Sequence, residues 1–212
     1  MTVLVPYVDR APDLAAWLAK KSHFLLGPRQ TGKSTLFRHQ LPQARVYDLL
    51  DSGVYLALSQ RPGRLGEELA PRDGLVVIDE VQRLPEILNE VHRLIEERGI
   101  RFLLTGSSAR KLRRGGVNLL GGRARTRQLH PLTRRELGPR FELGRAIARG
   151  LLPSIYFSDD PKADLDAYAG IVTVSVGHCH PTIVEKVREQ VGKLQHTTTI
   201  YMHPTIGQLG KK

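Results

Sequence analysis

The apolar positions of this chain fall into short blocks separated by glycine, proline and charge, and the spacing inside each block predicts an element. His23-Phe24-Leu25-Leu26 is a brief apolar run ending in glycine, the mark of a buried strand. An amphipathic stretch over residues 11–21, around Leu14, Trp17 and Leu18, leads into it. After a glycine-containing loop, residues 33–40 read as a helix stopped at Pro42. Residues 46–49 form a second short strand, followed by a polar helix around 54–58 and a turn at Arg61-Pro62-Gly63. Leu75-Val76-Val77-Ile78 is apolar on both faces, which places it centrally in a parallel sheet. Pro85 stands at the first position of the next helix, where Leu84, Ile87, Leu88, Val91, Leu94 and Ile95 recur at steps of three and four, so one face packs on the sheet. Gly99 ends that helix, and residues 100–105 and 125–130 supply a fourth and a fifth strand. Strands alternating with helices predict an α/β fold with right-handed crossovers and ligands at the carboxyl ends of the strands.

The candidate chemistry lies at those ends. Gly27-Pro28-Arg29-Gln30-Thr31-Gly32-Lys33-Ser34 fits G-x-x-x-x-G-K-[ST], with a strand before it and a helix after it, and Thr35 follows within the first helical turn. Such a P-loop wraps phosphates in main-chain N–H groups. Lys33 brings positive charge to the β and γ phosphates, Ser34 offers its hydroxyl to Mg²⁺, and the helix dipole favours the anion. Asp79 and Glu80 follow the most apolar strand, as a carboxylate pair in which Asp79 serves the Mg²⁺ shell and Glu80 orients an attacking water. Glu80 also suits a plain helix-start charge, so hydrolysis rather than mere binding hinges on it. At the tip of the fourth strand, Thr105 and Ser107 are candidates for a polar group beside the γ phosphate, provided that this strand inserts between the other two. Ser107 and Ser108 equally suit a helix N-cap.

Charge changes the picture in one region. The net charge is +11, and residues 101–150 carry thirteen Lys or Arg against Glu136 and Glu142. This block predicts either a solvated basic face or a nucleic-acid or protein partner surface, and apart from Phe102 and Phe141 no aromatic residues interleave the arginines in sequence. No apolar run approaches the ~20 residues of a membrane helix. The N-terminus lacks the pattern of a secretory signal, and the single cysteine, Cys179, excludes an intramolecular disulfide, so the expected location is the cytoplasm.

The segments GPRQTGKSTL at 27–36, VVIDEVQRLPEI at 76–87, FLLTGSSARKL at 102–112 and LLGGRARTRQLHPLTRREL at 119–137 resemble the stand-alone prokaryotic AAA-superfamily ATPases whose C-terminal part is a domain of unknown function. Weaker similarity runs on to Tyr168. The resemblance implies an ATPase with a five-stranded parallel sheet in the order 5-1-4-3-2, flanked by helices, with Lys33, Ser34, Asp79 and Glu80 at the nucleotide and Ser107 near the sensor position. It also implies a homo-oligomer in which Arg123 acts as a finger on the ATP of a neighbouring subunit, with Arg110 and Arg113 as rivals. Arg134 stands where the family usually has an aromatic residue.

From Gly170 the text changes. GIVTVSVGHCHPTIVEKVREQVGKLQHTTTIYMHPTI resembles the N-terminal part of class III pyridoxal-phosphate aminotransferases of the alanine–glyoxylate type. In those enzymes a Schiff-base lysine and a pyridine-pairing aspartate come from a large domain later in the chain, so no functional pyridoxal-phosphate site is expected here. Lys186 and Lys193 read as solvated helix charges. His178, Cys179, His180, His196 and His203 match no standard zinc spacing. The expected organisation is an ATPase core at 1–138, a truncated helical connection at 139–169 and an aminotransferase-like α/β extension of foreign origin at 170–212, a chimera arising from gene fusion or a mis-assembled gene model.

Overall fold

Strict alternation of side chains along three central strands builds two hydrophobic layers on one sheet. The computed structural model describes residues 6–107 and 120–159, with Glu185 from the remainder. Five strands, β1 (Ser22–Leu26), β2 (Arg45–Asp48), β3 (Leu75–Asp79), β4 (Arg101–Gly106) and β5 (Ala124–Gln128), form one sheet in the order β2-β3-β4-β1-β5. Every pairing is parallel, which is the expected 5-1-4-3-2 arrangement, with β4 inserted between β1 and β3. Phe24 and Leu26 of β1, Val76 and Ile78 of β3, and Phe102 and Leu104 of β4 point to one face. The helix α5 (Ile87–Arg98) closes that face with Ile87, Leu88, Val91 and Leu94. Leu25, Val77 and Leu103 point to the other, where α1 (Leu14–Leu18) brings Leu14 and Leu18 and α2 (Lys33–Gln40) brings Leu36 and Phe37. A three-layer α/β sandwich results.

The elements depart from expectation mainly at their ends. α1 is shorter than the amphipathic stretch, because Asp13 caps it by accepting from the Ala16 N–H. α5 begins at Ile87 rather than Pro85, since a turn of 3₁₀ helix at Val81–Arg83 carries the chain away from the end of β3 first. The polar region beyond β2 forms two helices, α3 (Ser52–Gln60) and α4 (Arg64–Glu68), parted at the expected Pro62-Gly63 turn.

After β5 the chain turns back through α6 (Arg134–Leu137), α7 (Leu143–Arg149) and α8 (Pro153–Tyr156). Leu132, Leu137 and Tyr156 bury against Val8 in a third apolar cluster. Arg134, in place of the family's aromatic, lays its guanidinium over the Phe141 ring at 5.7 Å, so the position still packs on an aromatic. The chain divides into two units between Asp159 and Asp160, and everything described here except Glu185 belongs to the first. Among the described residues no helix is long and apolar enough to cross a membrane.

Candidate functional site

Four of the six polar residues that are buried as a whole among those described, Thr31, Lys33, Asp79 and Thr105, collect at the carboxyl end of the sheet. The loop after β1 makes that possible because Gly27 runs so close to Leu129 that an added Cβ would strike its carbonyl oxygen. The loop then folds on itself. Thr31 Oγ1 donates to the Pro28 carbonyl at 2.9 Å, and Gly32, left-handed at φ 87°, caps α2. Lys33 Nζ donates to the carbonyls of Gly27 and Pro28, both at 2.9 Å. Burial pushes the Lys33 pKa down, opposed by the Glu80 and Asp79 carboxylates, with Arg29 adding to the lowering.

Two strand tips meet the loop. Ser34 Oγ donates to Asp79 Oδ2 at 2.7 Å, and Thr105 Oγ1 donates to the other oxygen, Oδ1. A hydroxyl and a carboxylate oxygen converging in this way form the hard oxygen donor set that suits Mg²⁺, which takes only one or two protein ligands and completes its shell with phosphate and water. The residues therefore fit the metal that the motif implies. Glu80 occupies the left-handed region at φ 59°, a conformation costing a non-glycine residue about 1–2 kcal/mol. Its N–H is held at 3.1 Å by Asp79 Oδ1 and at 3.3 Å by Thr105 Oγ1, which offsets that strain.

Gln82 completes the cluster and escaped the sequence reading. Its Nε2 donates to Glu80 Oε2 and lies 3.4 Å from Ser107 Oγ, so Ser107 connects to Glu80 through it. The amide's other end, Oε1, is buried with no hydrogen-bond partner among the described residues, packed where a side chain on Gly106 would collide with it. Turning the amide over would set its oxygen against the Glu80 carboxylate, so repulsion fixes the orientation. The only sequence signal was a polar residue two positions beyond the carboxylate pair. Thr105, one of the two expected candidates at the tip of β4, reaches Asp79; Ser107, the other, reaches Gln82.

An open cavity of about 460 Å³ lies over this cluster, lined by Arg29, Gln30, Gly32, Lys33, Ser34, Thr35, Leu50 and Glu80. Arg123 is not among them. Ala124 pairs in register with Ser22, so Arg123 sits beside the start of β1, at the opposite end of the sheet, where its Nε meets Glu96 Oε1 at 2.5 Å. It does not reach the loop of its own chain. Arg110, Arg113 and Ser108 lie outside the described residues, as do the histidines and the cysteine of the C-terminal segment; among the described residues no group of three or more His, Cys, Asp and Glu is placed to hold a metal.

Comparison with known proteins agrees with this fold. A family model described as an AAA domain matches residues 19–138, more than half of the chain. The chain belongs to this AAA domain family. Among solved structures, a Walker-type ATPase of Pyrococcus abyssi shares the fold of this AAA chain, with a TM-score of 0.52 at 15% identity over 85% of this chain and 75% of that one. A stretch of 48 residues is 48% identical to human mitochondrial alanine–glyoxylate aminotransferase 2, covering 23% of this chain and 9% of that protein. Acetylornithine aminotransferase of Synechocystis is 42% identical over 66 residues, 31% of this chain and 15% of that enzyme. The chain spans between about a tenth and a seventh of the length of these curated relatives. It is thus an AAA-type, ATP-binding P-loop module joined to a segment that resembles part of a class III aminotransferase.

Proposed function

We propose that this AAA module hydrolyses ATP in the presence of Mg²⁺. The observation that carries the reading is the junction of Ser34 with the Asp79 carboxylate, with Glu80 held beside it at the mouth of the same cavity. The triphosphate takes the place of the loop carbonyls at Lys33 Nζ, so that the ammonium and the main-chain N–H groups from Arg29 to Thr35 meet the phosphate oxygens. Ser34 and Asp79 would hold Mg²⁺, which would supply charge neutralisation at the phosphates. Glu80 orients the attacking water and accepts its proton, while Lys33 and the loop amides stabilise the charge that moves toward the leaving oxygen. A slot of about 110 Å³ next to the loop, lined by Tyr7, Val8, Arg10, Thr35, Leu132 and Pro153 among others, seats the base. Arg123, remote from its own loop, serves the nucleotide of a neighbouring subunit in a homo-oligomer. The C-terminal segment is an inert passenger without pyridoxal-phosphate chemistry, and the module works in the cytoplasm.

Titration of the full chain with MgATP, paired with phosphate release, tests the reading. Wild type binds saturably and turns over. Lys33→Ala loses binding, and Glu80→Gln binds but releases phosphate at least about a hundredfold more slowly, as expected when a water-orienting group is removed. A Glu80→Gln protein that turns over like wild type sinks hydrolysis through Glu80.

One observation favours a second reading, a nucleotide-sensing module that holds nucleic acid and turns over negligibly. Arg125 and Arg127 lie exposed on the edge strand β5, two residues apart on one face. Arg127 rests over the Trp17 ring at 5.4 Å, an aromatic partner brought in from another part of the chain. Affinity for a single-stranded oligonucleotide that falls steeply with salt, with phosphate release near background, would select this reading.

A further inference from the structure

Arg10 lies outside every motif, yet its guanidinium is the most heavily engaged in the described residues. Nη1 donates to the Thr31 carbonyl at 2.6 Å, Nη2 to the His130 carbonyl at 2.7 Å and more distantly to Pro131 at 3.5 Å, and Nε to Glu136 Oε1 at 2.9 Å. Both side chains of this ion pair are only 5% exposed, and among the described residues no other pair has both partners buried. The carboxylate is equally occupied: Oε1 also accepts the Ala11 N–H at 3.0 Å, and Oε2 accepts the Thr133 N–H and Oγ1 in a capping box at the start of α6. Buried ion pairs add little net stability compared with apolar packing, so what distinguishes this one is where its donors point.

One of them, Nη1, points at a peptide of the phosphate loop. A trans peptide sets C=O and N–H on opposite sides, and the described residues contain no cis bond. Holding the Thr31 carbonyl from the Arg10 side therefore turns the Gly32 N–H away from Arg10. Gly32 is also the residue at which this peptide is freest to rotate, because glycine accepts φ of either sign at little cost. Its far side is fixed, since the Gly32 carbonyl accepts the Leu36 N–H at 2.9 Å as the first bond of α2. The Thr31 side chain is fixed too, on Pro28. These bonds flank the 31–32 peptide and leave its orientation to Arg10.

We propose that Arg10 is a positioning residue for the phosphate loop: by gripping the Thr31 carbonyl, it holds the 31–32 peptide with its N–H toward the triphosphate and its oxygen away. A flipped peptide would replace a donor with a carbonyl oxygen facing an anion. Glu136 in turn aims the guanidinium, which joins the segment before α1, the loop and the segment after β5 at one point. The inference rests on the ATP-binding reading of the loop and is independent of turnover.

Calorimetric titration of the full-length chain with MgATP, well below the melting temperature of each protein, tests it. Arg10→Ala is expected to bind about tenfold or more weakly, the scale of a lost charge-assisted contact. Arg10→Lys, whose ammonium reaches fewer of the four acceptors, falls between the two. Glu136→Gln melts earlier but binds within about threefold of wild type, because the guanidinium still reaches Thr31. A folded Arg10→Ala protein with wild-type affinity overturns the proposal; if that variant does not fold, wild-type affinity in Arg10→Lys overturns it instead. The ¹⁵N-labelled Gly32 amide gives a reading that a merely structural role would not move: one resonance shifting with MgATP in wild type, and a broadened or doubled one in Arg10→Lys. An Arg10→Lys spectrum matching wild type at Gly32 also overturns it. Absence of saturable uptake by wild type would remove the ATP-binding reading along with it, a result distinct from binding that is simply insensitive to Arg10.

Discussion

Gln82 donates to one oxygen of Glu80, so the carboxylate proposed to orient water is itself held by a neighbour two residues away. Gln82→Ala is expected to leave MgATP affinity unchanged and to slow phosphate release about tenfold, because a carboxylate free to rotate is less often aligned for in-line attack. Affinity and rate measured on the same preparation separate the two effects. The phosphate loop, Ser34 and the Asp79-Glu80 pair were legible in the sequence because each combines a local motif with an adjoining strand. Gln82 and Arg10 were not. Gln82 carries no motif of its own, and Arg10 meets Glu136 across 126 positions of sequence, a pairing that only the closed fold creates.

At the level of elements, the short apolar runs of β1, β3 and β4 marked them in the sequence as buried strands of a parallel sheet, and in the fold their side chains alternate between its two faces. Leu103 illustrates it: flanked by Phe102 and Leu104, which bury on the α5 side, it points the other way, toward α1 and α2, with no exposed surface. Leu103→Ala should cost about 2–5 kcal/mol through lost burial and the cavity left behind. Urea unfolding followed by the fluorescence of Trp17, the single tryptophan, would measure it. Strand order was legible only through the family resemblance, since no local pattern says which strand inserts beside β1. The arginine-rich stretch was read less well. Its aromatic partners are supplied partly from elsewhere in the fold, with Arg127 over Trp17, and partly from close by, with Arg145 over Tyr156 and Arg140 over Phe157.

At the largest scale, the segment before α1 and the chain after β5 meet beside the phosphate loop, where the Glu136 carboxylate sits next to the Val8 cluster. Burial pushes the Glu136 pKa up, but the Ala11 N–H, Arg10 and Thr133 outweigh that and hold it below the ordinary carboxylate range. A depressed folded pKa stabilises the protein above the unfolded value, and that stability is lost as pH falls through the folded one. Wild type should therefore melt well above Glu136→Gln at neutral pH, with the gap closing in acid; a gap independent of pH would show that the carboxylate's charge is not what matters. The same junction bears on where the domain begins. The family match starts at residue 19, yet Glu136 finds its counter-ion nine positions upstream of that border. A recombinant fragment trimmed to the matched region would take Arg10 from the Thr31 carbonyl and from Glu136, and Leu14 and Leu18 from the core, and would lose stability for a reason that inspection of the matched region alone could not reveal.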